Sequence, residues 1–446
     1  MTITGMKQAS ELRRVIGLPH AIAMVVGIII GSSIFVQPSS VTNMVPSVTG
    51  VIFVWLASGI LTLFGALVCA ELASIFKESG GVYVYLKEAF SPLLGFMWGW
   101  AMFWIMHSGI IAAIAVIFAR YVAYYFPVND IEIKLIAIAC IWLLSAVNYF
   151  GVRQGSALQT FITVIKVASI VLIIILGFTL GSQVPEHFVK ADFPGEGLNV
   201  KNFLLAMIAG LFAFGGWHMV TYSSDETKQP HRTIPRALII GTVIVTLCYI
   251  AMNALYMYLL PLDTVASSTR IAADAAEAIF GFSGGGLMAG LVILSTFGAV
   301  NGVILAGPRV YYAMARDGLL FKWIGAIHSR FKTPARATIV QAIWASMLVF
   351  TGTYKELFTR VVYTEWIFFG LLAIGLIIIR RRPGIIPAFK VKGNYLVPLS
   401  FSIFSFIIVI NQILVEPVAS ITGLLLVLAG LPVYYIWLRN QTQKRQ

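Results

Sequence analysis

Charged side chains are scarce in this sequence, since Asp, Glu, Lys and Arg make up 11% of 446 residues, against about 25% in soluble domains. Hydrophobic residues make up 59%. Cysteine is scarcer still: Cys69, Cys140 and Cys248 all lie in apolar runs, so no disulfide framework and no covalently attached partner is expected. The composition excludes a soluble domain and predicts an integral membrane protein.

Motifs for chemistry are also lacking. The sequence has no metal-ligand spacing, phosphate-binding glycine loop, Walker motif or nucleophile elbow, so we expect no enzyme, no metal, no cofactor and no ATP-driven transport by this chain alone. A cleavable signal peptide is not expected either, because the first apolar run is too long and lacks a small-residue cleavage site.

Apolar runs of about 20 residues recur along almost the whole chain, and each can cross a hydrocarbon core of about 30 Å. They predict an all-α integral membrane protein whose twelve transmembrane helices lie at 15–40, 50–75, 92–125, 132–150, 156–180, 199–222, 236–260, 284–313, 336–352, 357–380, 396–415 and 419–438.

The net charge of +13 comes mainly from basic residues in the connections between the apolar runs and at the termini. With both termini in the cytoplasm, most of the basic residues fall in cytoplasmic segments, including Arg309 and Arg316, which fits the positive-inside rule. The basic excess is therefore a topology signal, and no nucleic-acid partner is expected. We expect a multi-pass protein of the cell (plasma) membrane, in contact with the lipid bilayer.

The first apolar run contains an unusual segment, GIIIGSSIF at 27–35. Glycine lowers helix stability by about 1 kcal/mol and serine competes for backbone hydrogen bonds. In lipid, backbone that leaves a helix must be satisfied by protein, water or ligand. Gly27, Gly31, Ser32 and Ser33 therefore indicate a broken helix that binds a polar ligand. A small-residue packing seam is the alternative.

A second break, GLFAFGGW at 210–217, interrupts the sixth run. Runs one and six cross the membrane in opposite directions, and paired broken helices in two inverted halves are typical of transporters. We therefore predict inverted repeats at 15–180 and 199–380, two appended helices within 396–438, and cytoplasmic termini at 1–14 and 439–446. This symmetry favours transport over a packing seam.

The two breaks have a chemistry of their own. A half-helix N-terminus presents N–H groups and partial positive charge, and the end of the preceding half presents free carbonyls. An amino acid carries a carboxylate and an ammonium one carbon apart, so it satisfies both ends at once. The backbone would bind the part common to all amino acids, and nearby side chains would select the variable part.

Both breaks and several further motifs resemble the amino acid–polyamine–organocation superfamily. The similarity is greatest to its L-type amino-acid transporter branch and to bacterial serine/threonine and alanine/serine/cysteine exchangers, which makes a bacterial inner membrane the expected location. The motifs are GIIIGSSIF at 27–35, ELASIFKESGGVY at 71–83, FAFGGW at 212–217, SDETKQP at 224–230, IPRA at 234–237 and AGLPVYY at 429–435.

This resemblance implies a LeuT-like fold of five plus five helices and a set of substrate-binding positions. The N–H groups of the first break would hold the substrate carboxylate, carbonyls of both breaks would receive the ammonium, and Phe212 would be the lid. Most members have Gly where this chain has Ser33, which makes the turn less free. The heavy-chain-linking cysteine of animal members is missing from 121–131. The implied binding residues are Ile29, Gly31, Ser32, Ser33, Ile34, Phe212, Ala213, Gly215, Gly216 and His218.

Lys166 lies inside the fifth run, where a lysine is expensive unless paired and marks a functional site by default. Relatives have a lysine here whose ammonium would replace a sodium ion. The expected partners are carbonyls near Gly27 and the hydroxyls of Ser295 or Thr296. The alternative is a lysine that extends to the interface.

Other polar residues in or near the runs remain open. Asp225 and Glu226 fit a cytoplasmic gate as well as a solvated helix end. Structural roles are favoured for Glu71, as a partner of backbone or a basic residue, and for Asn301, as a helix–helix contact. His107 and Glu365 could line the pathway or carry a proton, although a structural role is favoured for each.

The leading hypothesis is a sodium-independent exchanger of small neutral L-amino acids such as alanine, serine, cysteine or threonine, working by alternating access. No carboxylate lies in the broken segments to attract a cationic side chain. Proton symport, with Lys166 losing its proton, is the alternative within transport. A sensor that binds without translocating is more distant, because no sizeable cytoplasmic output domain is evident. The oligomeric state is left open.

Overall fold

The computed structural model describes residues 12–182, 184, 199–281, 284–350 and 354–443. Within these residues the chain is helical apart from its connections, and one isolated bridge joins Ile16 to Thr227. The predicted termini at 1–14 and 439–446 lie partly outside the described residues, as does most of the connection between the two predicted repeats.

The helices follow one another with short connections. In chain order they are α1 (Leu18–Ile29), α2 (Ser33–Met44), α3 (Val48–Ile75), α4 (Val82–Ala89), α5 (Pro92–Val122), α6 (Asp130–Phe150), α7 (Val152–Leu180), α8 (Val200–Ala213), α9 (Trp217–Glu226), α10 (Pro230–Leu259), α11 (Leu262–Ser267), α12 (Ile271–Phe280), α13 (Gly284–Ala306), α14 (Pro308–Arg316), α15 (Ala335–Val349), α16 (Tyr354–Arg380), α17 (Leu396–Val415), α18 (Pro417–Leu428) and α19 (Gly430–Gln443).

Ten helical segments in the described part are long and apolar enough to cross a membrane, and the bent pair α1 and α2 makes an eleventh. The ninth predicted span corresponds to α15, which has 15 residues and is shorter than a full crossing requires. Its predicted end at 351–352 lies outside the described residues. The chain is thus an all-helical, multi-pass membrane protein, as the sequence predicts.

The first predicted span is broken. The axes of α1 and α2 differ by 45°, and Ile30 between them has φ −74° and ψ 85°, outside the helical region. The serines that follow start α2. The break therefore falls within the glycine- and serine-containing segment at 27–35, near the middle of the span.

The sixth span is broken as well. Helix α8 ends at Ala213, and α9 is a 3₁₀-helix that starts after Gly216. Gly216 has φ +92°, a left-handed conformation that glycine adopts without the penalty of a Cβ. A Cβ at this position would also lie 2.4 Å from Ile28 Cγ2, so glycine brings the second break against α1.

The two breaks lie at the centre of the bundle. Helix α1 packs against α7, α9, α10 and α13, and most of its residues are buried. Helix α5 contains a π-helical segment, Met102–Met106, just before the residues that face the breaks. The outer helices α17 to α19 expose large apolar side chains, which suits contact with lipid.

Candidate functional site

A cavity of about 50 Å³ lies between the two breaks. This exceeds the roughly 10–15 Å³ that one water requires on the same measure. Helix α5 closes one side, and its small residues Gly109 and Ala113 leave space there. The cavity is lined by Ile28, Ile29, Gly31, Ser32, Ser33, Gly109, Ile110, Ala113, Ile114, Phe212, Ala213, Gly215, Gly216, Met219 and Val303.

Eight of the ten predicted binding residues line this cavity: Ile29, Gly31, Ser32, Ser33, Phe212, Ala213, Gly215 and Gly216. Ser32 and Ser33 form the N-terminal end of α2, where backbone N–H groups lack intrahelical acceptors and the helix dipole is positive. This end of the cavity can therefore accept a carboxylate.

The two remaining predicted residues lie elsewhere. Ile34 is buried, and its carbonyl accepts the Tyr256 hydroxyl at 3.3 Å. The ring of His218 packs among Trp98, Trp217, Tyr222 and Phe369, with ring centroids 4.8–5.8 Å away. Neither side chain lines the cavity.

Carbonyls at both breaks face the same tyrosine. The Tyr249 hydroxyl of α10 lies 3.0 Å from the Ile29 carbonyl and 2.7 Å from the Ala213 carbonyl. The Phe212 carbonyl accepts the Gly215 N–H at 2.8 Å. The Ile29 carbonyl also accepts the Gly31 N–H at 2.8 Å, so both of its lone pairs are engaged. A substrate ammonium would therefore share these carbonyls with the protein's own donors.

The Lys166 ammonium lies inside the bundle at the first break. Its Nζ donates to the Gly27 carbonyl at 3.1 Å and to the Ile30 carbonyl, and the residue is fully buried. Contact with the interface, the alternative considered above, does not match this position. The ammonium instead holds carbonyls that the break of α1 releases.

The two hydroxyls proposed as lysine partners differ. Ser295 Oγ lies 3.2 Å from the Ile30 carbonyl and 3.0 Å from the Gly31 carbonyl, so it shares an acceptor with Lys166. Thr296 Oγ1 bonds within its own helix, to the Val292 carbonyl at 2.7 Å, because it lies on a different face of α13.

Helix α7 reaches α1 closely because Gly27 has no side chain. A Cβ there would lie 2.1 Å from Thr163 Oγ1 and 2.3 Å from Gln159 Nε2. Thr163 also donates to the Ala23 carbonyl at 3.2 Å. Glycine at position 27 is thus a packing requirement that brings Lys166 within reach of the break.

A buried ion pair lies at one end of the bundle, beyond the second break. Arg309 Nε and Nη2 contact the Glu226 carboxylate at 2.9 and 3.1 Å, and the exposed fractions of the two side chains are 1% and 0%. A solvated helix end, one of two interpretations of Glu226, is therefore wrong. So is the assignment of Arg309 to a loop.

Further contacts close the same end. The Glu226 carbonyl accepts the N–H groups of Val15 and Ile16 at 2.9 Å, and Arg316 lies 3.7 Å from Asp225. These contacts join the segment before α1 to α9 and to the end of α14. This end of the bundle is therefore closely packed.

A second ionic contact at this end involves α4. Tyr83 and Lys87 both donate to Asp317 at 2.7 Å. Burial alone would lower the pKa of Lys87, but the hydrogen bond and charge of Asp317 outweigh it, and the net shift is upward. Lys87 therefore stays charged at neutral pH and holds α4 against the loop after α14.

Glu71 and Asn301 make structural contacts. Glu71 receives two hydrogen bonds from Arg380, at 2.7 and 2.5 Å, and one from the Val391 N–H at 2.7 Å. Asn301 donates to Gln159 at 2.9 Å and so links α13 to α7. Both geometries match the structural roles that the sequence favours.

The sequence signals missed part of this site. Tyr249 and the α5 residues of the cavity carried no distinguishing motif. A spacing of four between Gly109 and Ala113 places two small residues on one helix face, and this pattern could have indicated close approach of α5 to a ligand.

Residues 16–437 match the family model described as amino acid permease. The chain belongs to the amino acid permease family. Members of this family move amino acids across membranes, so the chain is a transporter and not an enzyme. The match covers both breaks, Lys166 and the Glu226–Arg309 pair.

Individual permeases show the branch. The chain is 32% identical to the human b(0,+)-type amino acid transporter 1 over 441 residues, which cover 96% of this chain and 89% of the relative. Identity to the human cystine/glutamate transporter is 31%, with 96% and 86% covered. The identity to the human large neutral amino acids transporter small subunit 2 is 32%, over 95% of this chain and 80% of the relative. The permease thus belongs to the L-type branch of the amino acid–polyamine–organocation superfamily, which confirms the predicted family.

Proposed function

We propose that this amino acid transporter is a sodium-independent exchanger of small neutral L-amino acids that works by alternating access. The observation that carries the proposal is a cavity bounded by both helix breaks. The N-terminus of α2 supplies N–H groups for the substrate carboxylate, and the breaks supply carbonyls for its ammonium.

The neutral character of the substrate follows from the cavity lining. Ser32 and Ser33 are its only polar side chains among the described residues, and no charged side chain lines it. A charged substrate side chain would lose its hydration without gaining a partner. A cavity of about 50 Å³ favours small side chains such as those of alanine, serine, cysteine and threonine.

Sodium independence follows from Lys166. By resemblance to carriers driven by sodium, its ammonium would replace the ion that those carriers bind between the helices equivalent to α1 and α13. The Gly27 and Ile30 carbonyls are already held by this fixed positive charge, and a second cation there would be repelled.

The test is uptake of labelled amino acids into liposomes that contain the purified protein. We expect uptake to require unlabelled amino acid inside and to be independent of external sodium. Equal uptake into empty and loaded vesicles would refute exchange. If that uptake then followed an imposed pH gradient, proton symport would replace exchange; binding without any uptake would indicate a sensor.

The specificity of the site can be tested at Gly215, whose Cβ would enter the cavity and meet only the Phe212 carbonyl, at 3.0 Å. Gly215→Ala, and more strongly Gly215→Val, should reject larger substrates before smaller ones. A methylene of mismatch changes discrimination about 10–200-fold. Gly286→Ala is the control, since its Cβ would meet only Tyr124 Cε1 at 4.0 Å. An unchanged substrate profile in folded Gly215→Val would place the site elsewhere.

The same proposal extends to topology and assembly. We infer inverted repeats at 15–180 and 199–380 and termini that both lie in the cytoplasm. We also infer that the protein is located in the plasma membrane, which in bacteria is the inner membrane. A disulfide-linked subunit is not part of the proposal, because Cys69, Cys140 and Cys248 are all buried. Labelling of cysteines introduced at exposed helix ends tests the orientation, and non-reducing electrophoresis from native membranes tests the absence of a linked subunit.

A further inference from the structure

Six buried polar side chains form a group on the helices that carry the cavity lining and the Glu226–Arg309 pair. Their exposed fractions run from 0% to 6%. In the described part of the chain, both nitrogens of each histidine, both tyrosine hydroxyls, the glutamine amide and one glutamate oxygen have no hydrogen-bond partner. The group, which we call the polar cluster, consists of His107, His218, Tyr222, Tyr311, Gln341 and Glu365.

The members of the polar cluster are contiguous. The ring centroid of Tyr222 lies 5.6 Å from that of His107 and 5.5 Å from that of His218. A Cβ built on Gly307 would lie 2.1 Å from Gln341 Oε1 and 2.6 Å from His107 Nδ1, so these two polar atoms are close neighbours. Glu365 lies one turn before Phe369 on α16, and the Phe369 ring centroid lies 4.8 Å from that of His218. Phe103 lies four residues before His107 on α5, and its ring centroid lies 5.2 Å from that of Tyr311.

Their position along the helices places the polar cluster on one side of the cavity. His107 precedes the lining residue Gly109 on α5, and His218 follows Gly216 into α9. Glu226 lies farther along α9, and on α14 Tyr311 follows Arg309 by two positions. The polar cluster is therefore adjacent in the chain both to the cavity lining and to the Glu226–Arg309 pair.

An unpartnered polar group in a protein interior is destabilising, and five helices each contribute at least one such side chain here. Polar networks of this kind are stable only when they are satisfied by water or by protons. A carboxylate is the extreme case, because an unpaired buried charge is far more costly than an unpaired amide. Glu365 is the acid of the group, and its Oε1 has no partner among the described residues.

The other titratable groups around Glu365 do not supply a cation to it. Among the helices packed against α16, the described residues of α17 and α18 carry none. Glu71 of α3 is paired with Arg380, and Tyr83 and Lys87 of α4 are paired with Asp317. The remaining titratable groups on α3, α4 and α5 are Cys69, Tyr85, Glu88, His107, Arg120 and Tyr121.

Of these groups, His107 belongs to the polar cluster itself, and Arg120 is exposed near the opposite end of α5. We propose that the polar cluster is a proton-binding site, with Glu365 as the group that takes up one proton when the Glu226 end of the bundle is closed. The proton comes from the water at that end, forms an O–H bond on the Glu365 carboxylate, and returns to the same water when the end opens. The site adjusts the two conformations to pH without net proton transport.

The first test reads the proton directly and does not depend on the proposed function. Infrared difference spectra of the purified protein in lipid, recorded between about pH 5 and pH 8, should contain the C=O band of a protonated buried carboxylic acid. Glu365→Gln should remove this band, and Glu416→Gln, at an exposed helix junction, should retain it. Identical bands in the wild type and in Glu365→Gln would overturn the proposal.

A second variant covers the case in which Glu365→Gln fails to fold. His107→Gln keeps the carboxyl group but changes its surroundings, so it should shift the pH at which the band appears without removing it. If the band does not move in His107→Gln, the contiguity of the polar cluster with Glu365 is wrong and the proposal fails.

The second test rests on the proposed function, because it measures amino-acid exchange at equal pH on both sides of the liposome membrane. One pKa unit of difference between two conformations changes their ratio about tenfold, so the wild-type rate should vary up to about tenfold over this pH range. Glu365→Gln should have a flat profile at the acidic wild-type rate. A profile that follows pH as in the wild type, or uptake driven by a pH gradient, would overturn the proposal; no exchange at any pH would instead refute the proposed function and leave the infrared result standing.

Discussion

Two buried cations in this protein are held in different ways. Arg309 faces the carboxylate of Glu226 across two hydrogen bonds of 2.9 and 3.1 Å. Lys166 faces no carboxylate among its contacts, and donates to the backbone carbonyls of Gly27 and Ile30. Both side chains are almost fully buried.

The difference indicates different tasks. The opposite charges of Arg309 and Glu226 compensate each other while both side chains are buried. Separating the pair would require water to hydrate each charge, so the pair keeps this end of the bundle closed. Carbonyl dipoles only partly compensate the Lys166 charge, and those dipoles exist because α1 is broken. Lys166 therefore stabilises the broken conformation of α1 beside the cavity, and Arg309 stabilises the closed arrangement of α9 against α14.

The largest loss of stability should result from removing only one of the two charges of the Glu226–Arg309 pair. Glu226→Gln leaves the Arg309 charge buried without a counter-charge, and such losses cost about 3–5 kcal/mol. Thermal unfolding in detergent should show a marked loss of stability. The double variant Glu226→Leu with Arg309→Met should recover much of it, since apolar pairs often replace buried ion pairs at little cost. Equal loss in single and double variants would contradict this account.

Lys166→Met should have the second largest effect, and it should reduce amino-acid exchange more than it reduces the stability of the fold. Its two carbonyl acceptors lose their donor, and each unsatisfied group costs about 1–3 kcal/mol. A bias of 1.4 kcal/mol between conformations is about tenfold in their ratio, so exchange should fall by about tenfold or more. Substrate binding should persist, because the cavity contacts are backbone groups. Lys201→Met, at an exposed position, is the control, and normal exchange in Lys166→Met would show that the lysine does not replace a cation.

The smallest effect should separate two neighbouring hydroxyls. Ser295→Ala removes the hydroxyl that shares the Ile30 carbonyl with Lys166 and should cost about 1 kcal/mol, measured as a several-fold loss of exchange. Thr296→Val keeps the side-chain shape, and the hydroxyl it removes bonds only to its own helix. Equal effects of the two variants would mean that Ser295 does not support the lysine.

The sequence predicted the parts of this site that depend on local chemistry. Glycines and serines at 27–35 and 210–217 predict the two breaks because they weaken helices wherever they occur. A lysine amid apolar residues needs acceptors, and the resemblance to relatives with a lysine at this position implied that carbonyls near Gly27 would supply them. The family could be predicted from the same segments.

Helix rotation and long-range pairing could not be predicted in the same way. Ser295 and Thr296 are adjacent, and one residue turns an α-helix by about 100°, so only the packed structure decides which of them faces α1. His218 follows Gly216 by two positions, but α9 is a 3₁₀-helix with three residues per turn, and this turn directs the ring away from the cavity.

Arg309 and Glu226 show a second limit. Charges at the ends of apolar runs look like loop charges, and Glu226 and Arg309 lie 83 positions apart. No local pattern distinguishes a buried pair from two solvated residues. Only the packing of α9 against α14 reveals the pair.

The π-helical segment Met102–Met106 has a consequence for how this chain should be compared with others. Ser108 Oγ donates to the Phe103 carbonyl at 2.7 Å, so a side chain joins the wider turn. A homologue with a regular α-helix here needs one residue fewer before Gly109, and its alignment with this chain should carry a one-residue gap near Met102. Deleting Phe103 should therefore close the wider turn and leave Gly109 and Ala113 on the helix face that lines the cavity, whereas the same deletion in a regular α-helix would rotate every later residue by about 100°.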